Sequence, residues 1–320
     1  MSAKLISTRA AYGRALVKLG RLRPEVVVLD ADLSKSTRTI DFAREFPERF
    51  FEMGVAEQDM MGTAAGLAAA GKIPFASSFA IFATGRAWEQ VRNSIAYPRL
   101  NVKIAATHAG ITVGEDGASH QSVEDIALMR VIPHLVVIVP ADAVETEQAV
   151  EAAAAHPGPV YLRLGRSEVP VLFDEGYRFQ LGKAALLREG KDVAIVACGI
   201  MVAAALEAAK ELAGEGIEAR VLNMSTVKPL DREAVVAAAR QTGAVVTAEE
   251  HSVIGGLGSA VAEVLGEECP VPLRMVGIRD QFGQSGTPAE LLRAYGLTAE
   301  DVARAARQAV AAKKGRAAGC

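Results

Sequence analysis

RFFEMGVAEQDMMGTAAGLAAAG, residues 49–71, reads as one unit: a short strand (RFFEM, 49–53), a glycine-containing turn, and a long Ala-rich stretch of helical period (56–71). A strand feeding an apolar helix of that length is half of a βαβ repeat. Working outward, EVVVLD (25–30) precedes it, and NVKIAAT (101–107), LVVIV (135–139) and VYLRL (160–164) follow, with a further helix in AVETEQAVEAAAAH (143–156). Strands alternating with helices predict an α/β fold, a mainly parallel sheet covered by helices on both faces. After Arg166 the periodicity dissolves into proline, glycine and charge. A second alternating series then begins with DVAIVAC (192–198), GIEARVLNM (216–224), GAVVTAEE (243–250) and PLRMVGIR (272–279). The expected organisation is a three-layer α/β/α domain over 1–166, a linker over 167–191, a smaller α/β/α domain over 192–312 and a fraying basic tail over 313–320.

Half of the residues are hydrophobic but only 5% are aromatic, so Ala, Val, Leu and Ile must build the core, as buried parallel strands require. Thirty-five basic against thirty-eight acidic side chains give a net charge of -3, which argues against a nucleic-acid partner. Cys198, Cys269 and Cys320 are scattered, without the spacing of a zinc site or disulfide framework. The amino terminus lacks the apolar stretch of a signal peptide and no run reaches membrane-spanning length, so the expected setting is the cytoplasm, with no membrane partner.

In open parallel sheets, ligands gather beyond the carboxyl ends of the strands. Asp32, Glu57, His108 and Arg166 each follow a strand, and one sheet edge would gather all four. Turns after strands are polar in any case, so each residue taken alone reads first as an ordinary turn residue. Glu57 opens an almost wholly apolar helix, where a carboxylate also serves as a cap, and Gly62 and Gly66 are expected to let that helix pack closely.

Four stretches decide more than any single residue: GVAEQ (54–58), SFAIFATGRAWEQVRNSIAY (78–97), HAGITVGEDGASHQSVEDIALMRVIP (108–133) and VPADAVE (139–145). In content and order they resemble the pyrimidine-binding domain of transketolases, and residues 192–312 resemble that family's carboxyl-terminal domain. The resemblance implies transfer of a two-carbon ketol unit between sugar phosphates, with thiamine diphosphate as cofactor. Glu57 matches the glutamate that hydrogen-bonds N1′ of the aminopyrimidine and favours its imino form. Phe79 and Phe82 match the aromatic seat of that ring, while Gly85 stands where a third aromatic is common. Asp116 and His120 match groups that contact the sugar near the reacting carbon, with His120 orienting it or moving a proton. His108 matches a histidine near the sugar phosphate; Arg9, Ser36 and Arg166 match the phosphate-binding set, and Asp32 a reader of a sugar hydroxyl. The reading also asks for an open cleft beside Glu57.

In the family, Mg²⁺ or Ca²⁺ joins the diphosphate to a GDG motif followed roughly thirty residues later by an asparagine. This sequence has no GDG; EDG (115–117) is nearest, and Asn93, Asn101 and Asn223 are not correspondingly placed. The resemblance therefore implies a partner chain that carries GDG, asparagine and the metal, in an α2β2 heterotetramer that exchanges sugar phosphates, commonly in pentose-phosphate metabolism. Four other readings stay open. A 1-deoxyxylulose-5-phosphate synthase-like chain or the β subunit of a 2-oxo acid dehydrogenase would share Glu57 and the two-domain plan, although GEDGASHQ (114–121) favours transketolase. GGLG in EEHSVIGGLGSA (249–260) weakly suggests a NAD-binding loop, and a silent scaffold subunit is the fourth. His251, in that same stretch, supports an interface or the local structure.

Overall fold

The computed structural model describes residues 4–317. Its first half contains β1 (Leu5–Ser7), β2 (Val26–Asp30), β3 (Phe50–Glu52), β4 (Ile73–Phe79), β5 (Lys103–Thr107), β6 (Val136–Ile138), β7 (Val160–Arg163) and β8 (Glu168–Pro170). The second half adds β9 (Ala185–Arg188), β10 (Val193–Ala197), β11 (Ala219–Asn223), β12 (Thr226–Lys228), β13 (Val245–Ser252) and β14 (Leu273–Ile278). The larger sheet runs β12-β6-β7-β5-β4-β2-β3, parallel except for β12. The smaller runs β14-β13-β10-β11-β9, parallel except for β9.

Alternation along the strands sorts side chains to two faces. Val26, Val28, Phe75, Ala105 and Leu162 pack against Tyr12, Leu16 and Leu19 of the helix Thr8–Leu22 and against Val150 of the helix Ala143–Ala155. Val27, Leu29, Ala76, Ile104 and Tyr161 face the other way, onto Met60, Met61 and Ala64 of the helix Glu57–Ala69. That second cluster continues without a break into Ala194, Val196, Val235 and Val261 of the smaller unit. The far face of the smaller sheet, with Ile195, Val221 and Val246, is covered by Ala205 and Leu212 on one helix and Val302 and Ala306 on another.

Four expectations need correction. The 167–191 stretch is not a loose linker: β8 pairs antiparallel with β1, β9 joins the smaller sheet, and the buried Asp142 carboxylate accepts the amides of Leu172 and Phe173 at 2.7 and 2.9 Å. Residues 313–317 do not fray but continue the helix Ala299–Ala317, because Lys313 reaches the carbonyls of Asp192 and Thr242; 318–320 lie outside the described residues. Within the 192–312 unit, β12 leaves its own sheet and pairs with β6 of the other. Gly62 and Gly66 are exposed, and a Cβ at either would meet nothing within 4 Å, so neither glycine serves packing within this chain.

Candidate functional site

Because the sheet is parallel, the carboxyl ends of β2, β3, β4, β5 and β7 share one edge, and the loops beyond them carry the candidate residues. After β2, buried Asp30 accepts the Leu33 amide at 2.7 Å and the hydroxyls of Thr37 and Thr39 at 2.6 and 2.8 Å. Burial nonetheless pushes its carboxyl up to about 6. This knot shapes the turn that presents Asp32, at φ +62, and Ser36. Asp32 is exposed, its amide donates to Glu52 Oε1 at 2.7 Å, and its side chain has no hydrogen bond or ion pair to another candidate among the described residues.

Glu57 is the first residue of its helix and 1% exposed. Its Oε2 accepts Arg86 Nη1 at 2.7 Å, and its Oε1 faces the Ser78 hydroxyl at 3.5 Å. The Arg86 guanidinium also lies over the Phe82 ring, 4.8 Å from its centroid, with its side chain 48% exposed. The expectation of an open cleft beside the carboxylate is thus corrected. A half-exposed side chain covers it rather than backbone, and the nearby rim exposes Phe51 and Val55.

Phe79, the last residue of β4, stacks with Phe82, 5.9 Å apart and 12° from parallel. Phe79 also stacks on His108 at 3.7 Å, and His120 meets Phe82 edge-on at 5.4 Å. His108, at φ +59 and 2% exposed, shares a 2.7 Å hydrogen bond through Nδ1 with Thr107. Burial first, then Arg9, Arg166 and His120, hold its imidazole down at about 3, so it stands neutral. Arg9 donates to the Ser36 carbonyl at 3.0 Å. Burial, then the nearby charges of Arg166 and Arg38, lower its pKa. Arg166 donates to the Val113 carbonyl and lies 3.6 Å from Asp116 and 3.7 Å from Glu115.

Among the described residues, Glu57, Phe82, Phe79, His108 and His120 form one chain of contacts through Arg86. Arg9 with Ser36 and Arg166 with Asp116 form two further groups that reach His108 by charge alone, and Asp32 stays at the margin. Sequence reasoning missed Arg86, whose only signal was a lone cation inside the apolar run SFAIFATGRAW (78–88).

Two family models match this chain: the transketolase pyrimidine-binding domain over residues 4–171 and the transketolase C-terminal domain over 182–302. The chain belongs to the transketolase family. A solved structure described as a split gene transketolase in an inactive β4 tetramer superposes with a TM-score of 0.91 at 64% identity, covering 96% of this chain and 99% of that one. The chain is 51% identical to the 6-deoxy-6-sulfo-D-fructose transketolase subunit of Clostridium sp. (strain MSTE9), over 96% of each. It is 40% identical to one subunit of the apulose-4-phosphate transketolase of Phocaeicola vulgatus, over 97% of this chain and 99% of the other.

In this transketolase-family chain the GGLG loop is not free to take a dinucleotide. The amides of Leu257 and Gly258, at the start of the helix Leu257–Glu268, both donate at 2.7 Å to the fully buried carboxylate of Glu249, which burial pushes up to about 7. His251 Nε2 accepts the amides of Ile126 and Ala127 at 3.1 and 3.3 Å, and Nδ1 donates to the Ser252 carbonyl at 2.7 Å. It caps a helix of the first half from a strand of the second. Beside it, buried Arg163 pairs with Asp125 at 2.7 Å and donates to the Glu250 carbonyl at 2.9 Å. Among the described residues, no helix is long and apolar enough to cross a membrane.

Proposed function

We propose that this chain is the pyrimidine-seating half of a split, thiamine-diphosphate-dependent transketolase that moves a two-carbon ketol unit from a ketose to an aldose phosphate. The observation that carries the reading is the buried Glu57 carboxylate at the head of its helix, joined through Arg86 to the face of Phe82, on which Phe79 stacks. A flat, nitrogen-bearing ring is what a carboxyl flanked by aromatic planes suits. When bound, thiamine diphosphate supplies the nucleophilic carbon that takes up the ketol unit. Glu57 would share a proton with the ring nitrogen, and Phe79 and Phe82 would exclude water from the ring's face. His120, whose Nδ1 faces the Ser119 hydroxyl at 3.0 Å, would use Nε2 to orient the sugar or move its proton. Asp116 and Asp32 would read hydroxyls. Arg9 and Arg166, with Ser36 and neutral His108 near them, would hold the anionic end of the ketose. Two relatives are named for ketoses that carry a sulfo or a phosphate group, which agrees with a cationic pair at that position.

The diphosphate and its Mg²⁺ or Ca²⁺ fall to a partner chain bearing GDG and asparagine, in an α2β2 assembly within the cytoplasm. The description of the 64%-identical structure as an inactive β4 tetramer supports partner dependence. The test is reconstitution. Purified chain with thiamine diphosphate and Mg²⁺ should not turn over xylulose 5-phosphate, and adding a GDG-bearing partner should start ketol transfer to ribose 5-phosphate. Turnover without the partner, or a reconstituted complex that consumes pyruvate but transfers no ketol unit, would replace this reading.

A further inference from the structure

The loop carrying Asp116 and His120 is held from two sides: Arg166 and Ser167 donate to the Val113 and Thr112 carbonyls, and the C-terminal unit packs against it from the other side. Ile111, in the turn Ile111–Val113, is fully buried in the same apolar cluster as Val276, Ile278 and Leu291. The next amide, of Thr112, donates at 2.7 Å to Glu250, a buried carboxylate on β13. A Cβ at Gly110, where φ is +81, would stand 2.2 Å from the Glu250 carboxyl carbon, so this approach admits only glycine.

Gln121, 2% exposed, closes the other end of the loop. Its Nε2 lies 3.1 Å from the Ile111 carbonyl, 3.1 Å from that of Gly114 and 2.9 Å from that of Gln284, three acceptors for two N–H groups. The backbone around Gln284 presses on the same place. A Cβ at Gly283 would fall 1.7 Å from Gln121 Oε1, and one at Gly117 would fall 2.6 Å from Ser285 Oγ. Neither side of this contact has room to move independently.

We propose that Gln121 is a positioning residue: by tying the 111–114 turn to the Gln284 carbonyl, it fixes where Asp116 and His120 stand, so that the C-terminal unit sets affinity for the sugar. A loop already held in place owes less ordering entropy when substrate binds, and the benefit falls on substrate affinity rather than on the ring seat. The inference rests on the transketolase reading for its kinetic consequence, though not for its structural one.

Gln121→Leu removes the donors, and Gly283→Ala attacks the same contact from the opposite side without altering the loop. Hydrogen exchange on the full chain should show the amides of 114–120 exchanging about tenfold faster in both variants, with the helix Ala143–Ala155 unchanged. In the complex with the GDG-bearing partner, KM for xylulose 5-phosphate should rise about tenfold while kcat and half-saturation by thiamine diphosphate stay within about twofold. Unaltered exchange and KM in folded variants would overturn the proposal, as would an equal loss of cofactor affinity, which marks general loosening. Should Gln121→Leu fail to fold, Gly283→Ala reads the same quantities. A wild-type complex without ketol transfer would defeat the proposed function and leave the exchange result to stand or fall by itself.

Discussion

Replacing Glu57 with glutamine should separate chemistry from folding. The side chain is 1% exposed and holds Arg86 at 2.7 Å, while Arg86 is 48% exposed. Glutamine keeps the volume and one acceptor for the guanidinium, so only the charge-assisted part of a single hydrogen bond is lost. A hydrogen bond to a charged group contributes ~1.5–3 kcal/mol and a neutral one ~0.5–1.5, a gap of about 1–1.5 kcal/mol. Solvent around Arg86 screens that gap, and removing a buried charge offsets more of it, so the net cost should stay within about 1 kcal/mol. For a chain of this size the melting temperature should fall by no more than about 3 °C. Proton exchange with the ring nitrogen is another matter, because an amide cannot perform it, and general acid–base catalysis accounts for about 10²–10⁴ in rate. The reconstituted complex should therefore lose ketol transfer by about that factor, read in a coupled assay at saturating cofactor alongside a melting scan. A variant that keeps a third or more of the rate would refute the reasoning. A melting point lower by more than about 10 °C would instead mark Glu57 as a folding residue.

Arg86 covers both Glu57 and Phe82; Arg86→Met should uncover them and tighten thiamine diphosphate binding in the complex about tenfold by fluorescence titration, whereas weaker binding would make Arg86 itself a ligand. Arg166→Ala should raise KM for xylulose 5-phosphate about 10- to 100-fold and leave KM for erythrulose, which has no phosphate, unchanged; equal effects on both sugars would remove Arg166 from the phosphate set. Burial, only partly countered by Asp125, lowers His251 from 6.5 to about 4, so the fold favours its neutral form. Its contribution should be complete above about pH 6.5 and fade as pH falls toward 4, when the unfolded chain takes up the proton first. Urea titrations should then show wild type losing up to about 3 kcal/mol relative to His251→Gln between pH 7 and 4, and a difference independent of pH would contradict the assignment.

The parallel strands were legible because each is a run of buried Val, Ile or Ala flanked by helices, as in Val26–Asp30 and Val193–Ala197. The central strand Ile73–Phe79 was not, because Pro74, Ser77 and Ser78 disguise it. Its two serines are paid for by tertiary partners, the Tyr12 hydroxyl at 2.7 Å and Glu57, which no local pattern reveals. Thr226–Lys228 and Ala185–Arg188 are strands only because an existing sheet edge receives them, and such pairing leaves little trace in a short stretch. Of the residues the motifs singled out, Glu57, Phe79, Phe82, His108 and His120 lie along one run of contacts. Arg86 escaped because its role depends on where the turn after β4 points it, toward a carboxylate 29 residues earlier in the chain.

The exchange of β12 onto β6 has a practical meaning for anyone dividing this polypeptide. Thr226↔Ile138 pairing covers β6, which without β12 would end the larger sheet on that side. A fragment ending near residue 182 would bare Val136–Ile138 and invite sticky, strand-to-strand oligomers. The two halves can be cut apart on paper at a domain boundary, but in a test tube the first would arrive with an open seam.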